Sequence, residues 1–168
     1  KGKALEPKWM QLVGRGDMPG GSPVVPHKVQ EMILHTFGNG VDTLHIGNQP
    51  VLLYFWREKD AGREDRLILL KKLVEDFPDS TSRIIADVCF DPDSIGWMSV
   101  VRKDSLSKVV RGWNFHAETD SLMIRAGVSR TPWFMVFDES GKAVYVGDKS
   151  DDADKAFRKT ADKKAPKK

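Results

Sequence analysis

A thiol is the first group to look for, and the sequence holds one, Cys89. It stands between Val88 and Phe90 in a run of β-forming residues, where a cysteine packs as a small apolar side chain. A reactive thiol needs an exposed, electropositive setting that a central strand does not offer. The histidines, His27, His35, His45 and His116, are dispersed. His27 and His35 fall on one expected helix but too far apart to be ligands on adjacent turns, and no Cys/His cluster has zinc spacing. Asp91 and Asp93 flank Pro92 without the pattern of a calcium loop, so turn and capping roles are expected of them. Gly38-Asn39-Gly40 lacks the residues that complete a phosphate-binding loop, and no Gly-x-Ser-x-Gly elbow is present. Arg111-Gly112-Trp113-Asn114-Phe115 mixes basic and aromatic residues as base-stacking surfaces do, but reads better as a segment packed against a sheet edge. Neither a metal nor a cofactor is expected.

Composition narrows the classes further. The 168 residues suit one domain with extensions, and 40% hydrophobic with 30% charged residues is ordinary for a globular protein. A single cysteine excludes a disulfide scaffold within the chain, which also argues against an adhesion role for Arg15-Gly16-Asp17. The longest apolar run, Val51–Trp56, is far short of the ~20 residues that span a bilayer. Charge is mixed, 27 basic against 24 acidic residues, and the one dense basic run, 163–168, reads as a solvated tail. The first residue, Lys1, is consistent with a trimmed segment and with a removed targeting peptide; the second is preferred.

Any chemistry must be positioned by regular elements. Residues 1–25 are dense in Gly and Pro and read as an extended arm. From Pro26, the residues Val29, Ile33, Leu34 and Phe37 fall at helical spacing, with Gly38 as a stop. An extended stretch follows over 41–46, and a turn at Asn48-Gln49-Pro50. Val51–Trp56 is the strongest strand signal, its continuous apolar character suiting a central strand buried on both faces. Leu67, Leu70, Leu73, Val74 and Phe77 predict a helix ended by Pro78. A strand over 83–90, a helix from Asp93 or Ser94, a helix over 119–126, a hairpin over 133–146 turning at Asp138-Glu139-Ser140-Gly141, and a helix opened by Ser150, Asp151 and Asp152 complete the chain. The order predicts an α/β sheet covered by helices.

Two segments resemble the thioredoxin-like superfamily. Val51-Leu52-Leu53-Tyr54-Phe55-Trp56, followed by Arg57-Glu58-Lys59-Asp60-Ala61-Gly62-Arg63, is similar to that fold's strand, Phe-Trp pair and redox loop. Ala126-Gly127-Val128-Ser129-Arg130-Thr131-Pro132-Trp133, running on into the hairpin, resembles its proline loop. Asp87-Val88-Cys89-Phe90-Asp91 looks like the tryparedoxin, nucleoredoxin and TlpA-type branches. The resemblance covers residues 40–160. It implies a thioredoxin-like fold with a central mixed sheet and helices on both faces, and a cis Thr131–Pro132 bond facing the redox loop. The domain is set at 26–160, with a basic tail over 161–168.

The positions that align with the family's Cys-x-x-Cys are Asp60 and Arg63, neither of which forms a disulfide, and Tyr54 stands where the family has a buried carboxylate. Asp60 is expected to cap the following helix. Trp56, Asp60, Arg63, Thr131, Pro132 and Trp133 form the expected vestigial redox loop and groove, a place for partner contact rather than catalysis. The chain is therefore expected to be no enzyme but a redox-inactive accessory subunit of a large mitochondrial assembly, a respiratory or ATP synthase complex. A ribosomal subunit and a free binding module are the alternatives. Its expected partners are neighbouring protein subunits, with RNA second and membrane contact only through them.

Overall fold

The computed structural model describes residues 31–36, 40–79, 81–113 and 130–162. The expected N-terminal arm, the helix over 119–126 and the tail beyond 162 lie outside them. In chain order the elements are β1 (Glu31–Thr36), β2 (Gly40–His45), β3 (Val51–Trp56), α1 (Arg63–Asp76), β4 (Ile84–Cys89), α2 (Ser94–Asp104), β5 (Val110–Trp113), β6 (Trp133–Phe137), β7 (Ala143–Gly147) and α3 (Ser150–Ala161). The strands form one seven-stranded mixed sheet in the order β2-β1-β5-β4-β3-β6-β7. β3 and β5 flank β4 in parallel, while β6 pairs antiparallel with β3 and then with β7.

The apolar run of β3 is central, and all six of its residues are buried. Alternation sends Val51, Leu53 and Phe55 to one face and Leu52, Tyr54 and Trp56 to the other. The second face receives Leu70 and Leu73 of α1, Trp97 of α2, and Ala153 and Phe157 of α3. Ala153, Phe157 and Ala161 recur every four residues along α3 and are all fully buried. Asp151 and Asp152 lie in the first turn of α3 and Arg158 and Lys159 in its last, in the sense the helix dipole favours. Asp93 is the N-cap of α2, its carboxylate accepting from the Ile95 amide at 2.9 Å, as its place before the helix predicts.

Two expectations are corrected. The helix expected from Pro26 to Phe37 is, over 31–36, strand β1, paired antiparallel with β2 on one side and with β5 on the other. Leu34 is fully buried in this arrangement and lies against Gly112 of β5, where an added Cβ would come within 2.8 Å of its side chain. Short apolar runs read equally as helix or strand, and the open sheet edge decides between them. Asn39-Gly40, flanked by apolar residues, is the hairpin signal that points the other way. The second correction concerns Arg111-Gly112-Trp113, which forms an interior strand rather than a segment beside the sheet edge. The charge of Arg111 hides it in the sequence, and ion pairs described below make its burial tolerable.

Candidate functional site

The loop between β3 and α1 is a short turn closed by its own residues. The Asp60 amide donates to the Arg57 carbonyl at 3.1 Å, and the Asp60 carboxylate accepts from the Arg57 amide at 2.8 Å. Its other oxygen accepts from the Thr131 hydroxyl at 2.8 Å, a contact between residues 71 positions apart. The Thr131–Pro132 bond is cis. The loop and the proline turn therefore meet as the resemblance implies. Asp60 does not cap α1, however. The N-cap is Gly62, left-handed with φ of 70° and without a side-chain bond, so the carboxylate is free to serve the facing turn. A further tether comes from Asp91, which accepts from the Glu58 amide at 2.7 Å.

Around this contact stand the other expected residues. Trp56 ends β3, and the Arg63 guanidinium sits 4.8 Å from the centre of its ring. Trp133 begins β6 opposite Phe55, with Arg130 stacked on it at 5.5 Å. The indole N–H groups of Trp56 and Trp133 are both buried without a hydrogen-bond acceptor among the described residues. All six expected residues thus lie at one end of the sheet, at the carboxyl end of β3 and the start of β6.

Sequence reasoning missed a charged chain beneath this end. Arg63 donates to Asp104 at 2.6 Å, Arg111 donates to the same oxygen of Asp104 at 2.9 Å, and Arg111 Nε lies 2.7 and 2.8 Å from the two oxygens of Asp87. Asp87, Asp104 and Arg111 are buried, while the Arg63 side chain keeps 17% of its surface exposed. Asp104 is the last residue of α2, at the negative end of its dipole, where the two guanidinium groups offset the unfavourable placement. Asp87 lies on β4 in register with Tyr54, so a buried carboxylate is present one strand away from the position where Tyr54 replaces it. Burial pushes the Asp87 carboxyl up to about 6, although Arg111 acts against the shift. The signal available in the sequence was one acid, Asp87, in an apolar run; Asp104 follows Arg102 and Lys103 and reads as a solvated helix end, and nothing joins either acid to Arg111.

Cys89 is fully buried at the end of β4, in register with Trp56 and Trp113. Burial pushes its thiol well above the ordinary cysteine range, and its sulfur lies 3.5 Å from the Asp91 carboxylate. Asp91 also receives the Trp113 indole N–H on its carbonyl at 2.6 Å. Among the described residues no three His, Cys, Asp or Glu side chains are grouped to hold a metal ion. No described helix is long and apolar enough to cross a membrane.

Comparison with known proteins places this geometry. No family model matches the chain, and no curated protein matches its sequence. Solved structures do. A thiol:disulfide interchange protein from Bacteroides sp. superposes with a TM-score of 0.69 at 16% identity, covering 83% of this chain and 91% of that one. The thioredoxin domain of a thiol-disulfide oxidoreductase from Bacteroides vulgatus gives 0.67 at 16%, covering 80% and 97%. A secreted Mycobacterium tuberculosis disulfide oxidoreductase homologous to E. coli DsbE gives 0.59 at 15%, covering 76% and 95%. The fold is thioredoxin-like. At these identities the likeness establishes the fold.

Two functional expectations are thereby corrected. The structural neighbours are thiol-disulfide oxidoreductases, which overturns the assignment to a mitochondrial respiratory, ATP synthase or ribosomal assembly as a redox-inactive subunit. They overturn equally the statement that the chain is no enzyme, since the fold's company is redox enzymes. The error was to argue from two positions to a whole protein: absence of thiols at Asp60 and Arg63 bears on chemistry at that loop alone.

Proposed function

We propose that this domain handles polypeptides in thiol–disulfide chemistry, holding an extended segment in the groove between loop 57–62 and turn 130–133. The observation that carries the reading is the hydrogen bond from Thr131 to Asp60, which joins the two walls at the place where the oxidoreductase fold presents its reactive loop. Two aromatic rings, Trp56 and Trp133, flank that contact, each with an arginine stacked on it. The half-buried Trp133 ring with the exposed Arg130 guanidinium beside it offers an extended chain aromatic surface and a donor for its carbonyls, while the buried Trp56 backs the loop from the core. Asp60 and Arg63 supply polar contacts in the loop.

The test is a titration of the isotopically labelled protein with extended peptides, some containing a cysteine and some a disulfide. Amide shifts concentrated at 57–63 and 130–133, weakened by Thr131→Ala, are the expected result. Absence of shifts at millimolar peptide, or shifts confined to the opposite end of the sheet, defeats the reading. The mass of the disulfide peptide after incubation with wild type and with Cys89→Ser reports in the same experiment whether thiol exchange accompanies binding.

A further inference from the structure

Asp87, Arg111, Asp104 and Arg63 form one continuous chain from the centre of the sheet to the groove. Across β3, β4 and β5, Tyr54, Asp87 and Arg111 stand side by side in register on the helix-covered face, an interruption in an otherwise apolar layer. With every member ionised, two carboxylates balance two guanidinium groups. Such a buried balance is sensitive to a single proton, because an unmatched charge is expensive where water is excluded.

We propose that this chain is a proton-operated positioning relay: neutralising Asp87 transfers Arg111 wholly to Asp104 and releases Arg63 from Asp104, and with it from Trp56, into the groove. One proton is taken from solvent by the Asp87 carboxylate, and no other bond changes order. Arg111 has the means to turn, since its Nη1 is buried without a partner among the described residues and is a donor in reserve. The cluster then carries one excess positive charge. Arg63 is the member that leaves, because its side chain is 17% exposed while those of Asp87, Arg111 and Asp104 are 2%, 8% and 4% exposed.

The groups facing Asp87 are Tyr54 from β3, Arg111 from β5, Asp104 from α2 and Arg63 from α1, with Cys89 next on its own face of β4. Arg66 and Asp60 act on Tyr54 rather than on the relay directly. Tyr54 and Cys89 are both held in their protonated forms by burial, and burial pushes Asp87 up to about 6. As a regulator of the groove the relay rests on the polypeptide-binding reading, but its movement belongs to the free protein and is measured there.

The experiment follows the Arg63 Nε–H and Trp56 indole N–H resonances of the full chain, without peptide, between about pH 4 and 8. The expected result is one step shared by both groups with its midpoint near 6, absent in Asp87→Asn. Flat resonances in the wild type, or a step that survives in Asp87→Asn, overturn the relay. Should that variant not fold, the wild type still decides through the carboxyl carbon of Asp87. A coincident midpoint supports coupling, and a midpoint displaced by about one pH unit overturns it. Failure of the peptide titration with this step intact would reject the groove and leave the relay standing.

Discussion

At the scale of single residues, burial governs what the ionisable groups can do. Cys89 is fully enclosed and its thiol is pushed upward, so the thiolate needed for alkylation is scarce. Iodoacetamide at about pH 8 is expected to leave the native protein unmodified over a time that fully labels the unfolded chain, as read by mass spectrometry. Arg111 presents the opposite case, a buried cation that two carboxylates require. Arg111→Ala leaves Asp87 and Asp104 enclosed without it and is expected to cost about 3–5 kcal/mol in denaturant unfolding. The pH dependence of Asp87 has a definite sign. Its folded value is raised, so the folded state binds the proton more tightly than the unfolded chain. Its contribution to stability is present below the unfolded value of about 4 and is lost as pH rises through 6. The stability of wild type minus that of Asp87→Asn should therefore fall across that window. A rising difference would reverse the assignment.

At the scale of elements, the join between β1 and β5 shows how a close approach of backbone and side chain selects a strand. Gly112 leaves room for Leu34, which a Cβ would meet at 2.8 Å. Gly112→Ala is expected to destabilise by about 1–3 kcal/mol through overpacking. In a Leu34→Ala background the same change should cost much less, and a double-mutant cycle by urea unfolding measures the difference. Equal costs in both backgrounds would show that Leu34 does not lie against that strand. The same contact explains why helical spacing around Ile33, Leu34 and Phe37 misleads. A helix would satisfy that spacing locally, whereas the sheet offers Leu34 complete burial, pairs the backbone of 31–36 with β2 and pairs His35 and Thr36 with β5 as well.

Over the whole molecule, the meeting of loop 57–62 with turn 130–133 depends on contacts between parts of the chain far apart in sequence. The Thr131 hydroxyl and the Asp60 carboxylate are joined across 71 positions, and the Asp91 carboxylate holds Glu58 across 33. A cycle of Asp60→Ala, Thr131→Ala and the double variant should give a coupling of about 0.5–1.5 kcal/mol, the usual net worth of a hydrogen bond. A coupling indistinguishable from zero would mean that the two walls are set independently, by β3 and β6 alone. Arg63 adds a second long link, to Asp104, so α1 and α2 share one charged support.

By itself the sequence determined the parts governed by local pattern. The buried run of β3, the repeat of leucines in α1, the capping by Asp93, the hairpin of β6 and β7 and the acids opening α3 were legible because period, turn chemistry and caps act within a few residues. The thioredoxin-like fold and the facing of loop and proline turn were legible through the resemblance of two motifs in the right order. What only the tertiary structure decided involves partners distant in the chain. β1 became a strand because a sheet edge was there to accept it. Asp60 turned from the helix to Thr131 because Gly62 took the cap. Asp87 and Asp104 read separately as isolated acids, and folding makes them one chain with Arg111 and Arg63. A charge is buried only where its counter-charge is brought to it, and that meeting is a property of the assembled sheet and helices.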